Sequence, residues 1–290
     1  MASAVHQHAD MSPQEWEARQ QLAACYRIFD HMGWSELIYN HITVRVPGEE
    51  SAFLINPFGL GYHEVTASNL VKIDIDGAVL DGSPYPVNRA GFVQHSVFHR
   101  HLPDAHCIIH THTTAGMAVS ATEEGLRPIS FYAAAFIGPI AYHDFEGVTI
   151  RPEEGERLIA HLGDKRVMML RNHGTLVMAP TLPWAFLKHW SLQRACEVQV
   201  ATCAAGTPAI IPPEVIAVHQ RDLAGMQLPA GPGVPDFQAM RGLTSIEERM
   251  RSLAAAAPIF KKFPAEQWVE IAAQGGVCCQ PVRSPEEALC

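Results

Sequence analysis

The chain has 290 residues, 48% hydrophobic and 18% charged, which suits a globular protein large enough to bury a full core. A net charge of -9 with no basic tract excludes an electrostatic grip on nucleic acid. No apolar run approaches a membrane span, and Met1-Ala-Ser-Ala-Val-His-Gln-His8 lacks the charged start and apolar run of a signal peptide, so a cytoplasmic protein is expected.

Ser12-Pro13-Gln14-Glu15 reads as a helix start: Ser12 can cap, Pro13 suits the first helical position and Glu15 completes a capping box. Leu22, Tyr26, Phe29 and Met32 follow at helical spacing, and Gly33 terminates the run. Strands are expected at 42–46 and 52–56 around Pro47-Gly48, and at 71–75 with a hairpin at Asp76-Gly77. Residues from about Ala90 to His101 read as a helix that stops before Pro103.

Cys107-Ile-Ile-His-Thr-His-Thr113 reads as a buried strand with a polar end. Strand alternation sends His110 and His112 out of one face, about 7 Å apart, while Thr111 points the other way. Two imidazoles so placed can converge on one metal ion, or can be a hydrogen-bonded pair at a strand end. Val167–Leu170 and Thr175–Met178 flank Asn172-His173-Gly174, a tight turn between two strands. His173 would supply a third neutral nitrogen and leave a position open for water or substrate.

A long helix is expected from Thr181 to Ala205. The six prolines and four glycines between 206 and 235 argue against a helix there. This puts a main domain at 1–206 and a Pro/Gly-rich linker with a C-terminal extension at 207–290, including one helix from Ile246 to Ala257. The seven cysteines, two of them adjacent at Cys278-Cys279, have no zinc-ribbon spacing and read as free thiols of a reducing compartment.

From about Leu22 to Ala205 the chain resembles the class II aldolase/adducin family. The carriers are Tyr39-Asn-His-Ile-Thr-Val-Arg45, Phe53-Leu-Ile-Asn-Pro-Phe-Gly59, Thr66-Ala-Ser68 with Lys72-Ile-Asp74, Ile109-His-Thr-His112, Arg171-Asn-His-Gly174 and Arg194-Ala-Cys-Glu197. The resemblance implies an α/β fold of three layers, α/β/α, with a mainly antiparallel central sheet. It also implies homotetramers with sites at subunit contacts, a small-molecule substrate, and one divalent metal per chain (Zn, Fe or Mn). The family's metal histidines map onto His110, His112 and His173.

The departures narrow the chemistry. The family glutamate that moves protons beside the metal falls at Gly91, and the two serines that hold a sugar phosphate fall at Arg89 and Ala90. The Gly-Asn pair of the first phosphate loop appears as Asn40-His41. A non-phosphorylated substrate is therefore expected, and Gly91 should leave space beside the ion. Tyr132 stands at the offset of a family tyrosine that acts as an acid across the subunit contact; a buried aromatic with a bonded hydroxyl is the other reading.

Arg89 could pair a substrate carboxylate or be an exposed helix-start arginine, and Glu64 could be a replacement acid or a surface carboxylate. His95 and His99 share a helix face, as a metalloprotease's paired histidines do, but Ser96 stands where its glutamate would be. They are expected to pack or to hydrogen-bond toward the site. His6, His8, His161, His189 and His219 read as surface or packing residues.

Three functions follow. One is a metal-dependent carbon–carbon lyase, retro-aldol or decarboxylating. Another is a non-haem Fe(II) oxygenase, since aldolase-like oxidative decarboxylases of aromatic keto acids also resemble the chain. The last is a non-catalytic assembly module like the adducin heads, which lack the metal histidines retained here.

Overall fold

The structure, a computed structural model, describes residues 11–148, 151–226 and 230–244. Its elements in chain order are α1 (Pro13–His31), β1 (His41–Arg45), β2 (Ala52–Ile55), β3 (Val71–Asp74), α2 (Arg89–His101), β4 (Cys107–Thr111), α3 (Thr114–Ser120) and α4 (Phe131–Ala134). There follow β5 (Ile140–His143), α5 (Pro152–Leu162), β6 (Val167–Leu170), β7 (Gly174–Ala179), α6 (Leu182–Ala205), α7 (Pro213–Gly225) and α8 (Val234–Thr244). Ser12 caps α1, its hydroxyl accepting from the Glu15 amide at 3.1 Å, and Thr181 caps α6 on the Trp184 amide.

The strands form one sheet in the order β3-β2-β1-β4-β7-β6-β5. Every pairing is antiparallel except β5 with β6. Side-chain alternation sorts the two faces. Ile42, Val44, Cys107 and Ile109 join Leu22, Tyr26 and Phe29 of α1 and Phe186 of α6 in one core. Ile108, Met168 and Leu176 face the other way, against Phe98 of α2 and Leu158 and Leu162 of α5. Helices thus cover both faces, giving the expected three layers. Each such fully buried side chain stabilises the fold by about 1.5–3 kcal/mol, so a one-residue slip of β4, which exchanges its two faces, is strongly disfavoured.

That register positions the site. β4 lies between β1 and β7, with His41 opposite His110 and Thr111 opposite Thr175. The Tyr26 hydroxyl accepts from the Ile42 amide at 2.9 Å and lies 2.6 Å from the Ile42 carbonyl, pinning β1 next to His41.

The expected hairpin at Asp76-Gly77 is short: Ile73 bridges Val79, the Asp74 amide donates to the Ala78 carbonyl at 2.9 Å and the Leu80 amide to the Lys72 carbonyl at 2.8 Å. One local expectation differs from the structure. The proline-rich stretch contains α7, because Pro212 and Pro213 stand at the cap and first position, where a missing N–H breaks no helical bond. Its Gln220 donates to the Ala134 and Ile137 carbonyls, both at 2.8 Å, and Ile216 is buried. The chain divides into one unit at Met1–Arg241, which includes α7, and another at Gly242–Cys290. The helix expected at 246–257 and both adjacent cysteines lie outside the described residues, as do His6 and His8.

Candidate metal centre

His110 is the last but one residue of β4, on the face covered by α2, while the Thr111 hydroxyl bonds His189 Nε2 on the α6 side at 2.8 Å. His112 follows where the strand ends; its amide donates to Asn40 Oδ1 at 2.8 Å, and Asn40 is held by its own donation to the Trp34 carbonyl at 2.7 Å. His173 sits in the turn between β6 and β7. Asn172 before it takes the left-handed conformation (φ 57°) that asparagine tolerates better than most residues. Gly174 after it is required by close approach: a Cβ there would lie 2.3 Å from the Thr111 carbonyl oxygen.

These three histidines each present a ring nitrogen, all within 4.8 Å of one another. Ring centroids are 4.5 Å apart for His110 and His112, 4.9 Å for His110 and His173, and 4.8 Å for His112 and His173. The donor set fits a divalent cation. His110 Nδ1 donates to the Thr175 carbonyl at 2.9 Å, so the neutral ring turns a bare Nε2 inward. That Nε2 lies 2.8 Å from His112 Nε2, an arrangement satisfied only by a proton on His112 or by a cation shared between the two lone pairs. Burial holds His110 well below the usual imidazole range, and mutual repulsion adds to the effect. The same causes bring His112 down to about 4 and lower His173, where His143 contributes the repulsion. Neutral imidazoles at neutral pH are what a divalent cation binds.

The triad opens into a cavity of about 310 Å³ whose walls include Tyr39, Phe58, Phe145 and Val148. No lysine, arginine, aspartate or glutamate is among the described residues lining it. Gly91 does line it, at the expected position, but does not leave open space. An added Cβ would lie 2.2 Å from His41 Cδ2 and 2.3 Å from His41 Nε2, so the His41 imidazole fills the place beside the triad. Gly91→Glu should therefore displace His41 as well as add a charge. We expect a stability loss of about 1–3 kcal/mol by urea titration, as for an overpacked core. An unchanged unfolding midpoint would show that His41 moves aside freely.

The other candidates fall elsewhere. Tyr132, on α4, packs edge-on against Trp190 and lines a separate apolar cleft with Phe131 and His219; within one chain it does not line the triad's cavity. Glu64 is exposed and ties back its own loop, Oε2 accepting from the Gly61 amide at 2.8 Å. Arg89 opens α2, and its side chain lies outside the described residues. His95 and His99 are buried and hydrogen-bonded toward His41, as the helix-face spacing suggests. His189 is a packing residue, His161 pairs with His143, and His219 stacks edge-on against Phe131. His41 itself is the residue that sequence reasoning passes over: it is noted there only as a departure from the family's Gly-Asn pair. The available signal is alternation along β1, which sets His41 and Thr43 on one face.

Residues 20–200 match the family model described as Class II Aldolase and Adducin N-terminal domain. A "Putative aldolase class 2 protein" of Caulobacter vibrioides is 44% identical over 74% of this chain and 84% of its own length. Alpha-adducin of Rattus norvegicus is 49% identical over 66% of this chain and 26% of its own. Among solved structures, an aldolase II superfamily protein from Pseudomonas syringae superposes with TM-score 0.77 at 43% identity, over 81% of this chain and 94% of that one. The L-fuculose 1-phosphate aldolase of Glaciozyma antarctica gives 0.70 at 30% identity, over 79% and 90%. Sheet order, histidine turn and these matches agree: the chain belongs to the class II aldolase and adducin family.

Proposed function

We propose that the protein is a metal-dependent carbon–carbon lyase, a retro-aldolase or decarboxylase, acting on a small non-phosphorylated carbonyl or carboxylate compound. The observation that carries this reading is the convergence of three neutral imidazoles, one buried and two half-buried, on one cavity. His110, His112 and His173 would hold one Zn, Fe or Mn ion, and the bound ion supplies a Lewis acid for a substrate oxygen that gains negative charge as the bond breaks. The Thr175 carbonyl holds His110 in its ligand tautomer, and Asn40 braces the His112 backbone.

The name of the Glaciozyma relative points to a sugar phosphate. Against that, the described cavity lining offers no cationic side chain to a phosphate group. An assembly role of the adducin kind gives no reason to converge three imidazoles with no acidic partner among the described residues lining the cavity. A homotetramer belongs to this reading, and Tyr132 could act only from an adjacent copy.

Metal analysis of protein purified without added metal should find about one divalent ion per chain. Turnover of non-phosphorylated hydroxy ketones and keto acids should then proceed equally with and without oxygen. A metal-free, inactive protein would sink the reading. Stoichiometric oxygen uptake with Fe(II) would replace it with the oxygenase, and preference for a ketose 1-phosphate would overturn the substrate class.

A further inference from the structure

Behind the triad runs an unbroken row of hydrogen bonds between β1 and α2. His41 Nδ1 lies 3.0 Å from His95 Nε2, and His95 Nδ1 lies 2.8 Å from the Thr43 hydroxyl. The same hydroxyl lies 2.8 Å from His99 Nε2, and His99 Nδ1 lies 2.8 Å from the Ala105 carbonyl. All four side chains are buried, at 3% exposure or less. The row exists because strand alternation puts His41 and Thr43 on one face of β1. The i, i+4 spacing of α2 lays His95 and His99 over them.

The direction of every proton in the row follows from its far end. A carbonyl oxygen can only accept, so His99 Nδ1 carries a hydrogen, and the neutral ring is bare at Nε2. The Thr43 hydroxyl must then donate to His99, which leaves its oxygen to accept from His95 Nδ1–H. His95 is therefore bare at Nε2 and accepts from His41 Nδ1–H. What remains is a bare Nε2 on His41, the atom lying on the Gly91 side of the cavity. These rings are buried with no carboxylate bonded to them among the described residues, which favours the neutral form.

The geometry points to a specificity role that rests on the reading above: the Ala105–His99–Thr43–His95 row locks His41 as a hydrogen-bond acceptor, so the substrate bound beside the triad must offer it a hydroxyl. His41 would touch substrate, and Thr43, His95 and His99 are positioning residues that act through it. The substrate class narrows to hydroxylated carbonyl or carboxylate compounds. A ligand carrying only anionic oxygens would set lone pair against lone pair at that nitrogen.

The test has two arms. In the zinc-loaded full chain labelled with 15N-histidine, ring-nitrogen correlation spectra report each tautomer, with assignment from His41→Gln and His95→Gln. His41, His95 and His99 should each carry the hydrogen on Nδ1. Thr43→Val replaces the hydroxyl by a methyl group and should leave His41 a mixture of tautomers, while Thr43→Ser restores the single form. A wild-type His41 protonated at Nε2, or one indifferent to Thr43→Val, would overturn the lock.

In the second arm, acetate and glycolate, which differ by one hydroxyl, are titrated into cobalt(II)-loaded protein and followed by its visible spectrum. The preference for glycolate should fall roughly 3–10-fold from wild type to Thr43→Val, the worth of one ordinary hydrogen bond. Direct binding of the hydroxyl to the ion is common to both proteins and cancels in this ratio. Equal preferences would remove the row from substrate recognition. Failure to bind cobalt at all would defeat the metal reading and leave the tautomer arm, repeated without metal, to judge the lock alone.

Discussion

Replacing His173 by alanine is expected to abolish retention of the divalent ion and to lower turnover by roughly a thousandfold or more, on the order of 4 kcal/mol of transition-state stabilisation. The size follows from the donor set. Three imidazole nitrogens lie within 4.8 Å, and no carboxylate is among the described residues lining the cavity to take over a lost position. Two remaining histidines make a site that neither chelates strongly nor fixes the ion's direction. His173 suits the test because it is half-buried in a turn rather than inside the sheet. The fold should therefore survive its removal. The variant should keep its circular dichroism and unfolding midpoint while equilibrium dialysis shows the ion lost. A variant that holds metal and turns over like wild type would mean that the triad is not the centre of the chemistry.

Local parts of that centre are legible in the sequence, and the long-range part is not. The period-two spacing of His110 and His112 and the strand–turn–strand pattern around His173 can be read from neighbouring residues alone. Their convergence depends on β7 pairing with β4 at Thr111 and Thr175, which no local pattern specifies. Resemblance to a family supplies it. The same limit explains His41. It is visible as an unusual residue, but its place beside the triad comes from the pairing of β1 with β4 and the packing of α2 across both. Gly91 reads as a vacancy in sequence because the glutamate is missing, while in three dimensions a neighbouring strand fills the place.

The unpredicted elements have local causes. β5, Ile-Ala-Tyr-His, lacks the apolar run that marks the equally short β2 and β6, and is held in the sheet by its pairing with β6. α5 has helix-start signals in Pro152, Glu153 and Glu154, but Gly155 interrupts the pattern. That glycine lies under Val97 of α2, with an added Cβ only 2.8 Å from Val97 Cγ2, so close helix packing has overridden local propensity. α7 shows the converse, since counting prolines as breakers ignores where in a helix each one stands.

A steep loss of stability below about pH 6.5 is expected from the buried histidines that are not metal ligands. Burial lowers His41, His99 and His189 to about 3 and holds His95 well below its usual value, with His41 and His99 adding repulsion at His95. The folded values lie below the unfolded one, so the stabilising difference is fully present above pH 6.5. It is lost as pH falls toward the folded values, because the unfolded chain takes up protons that the folded chain refuses. Each group contributes about 1.4 kcal/mol per pH unit well inside that window, so the four together cost roughly 7 kcal/mol between pH 6.5 and 5, to which the metal-free triad adds. That is a large share of the 5–15 kcal/mol typical of a folded domain. The depressed carboxyl of Asp104, held by Arg166, cannot imitate the effect, since its contribution is lost only as pH falls below the ordinary carboxylate range. Urea unfolding of metal-free protein at steps from pH 7.5 to 5 measures the slope directly. His189→Gln should lower the loss between pH 6.5 and 5 by about 1.6 kcal/mol, because His189 is bonded to Thr111 and lies outside the row that holds the other three. A flat profile across this range would mean that the buried rings accept protons without unfolding the chain, and the neutral state assigned to them would be wrong.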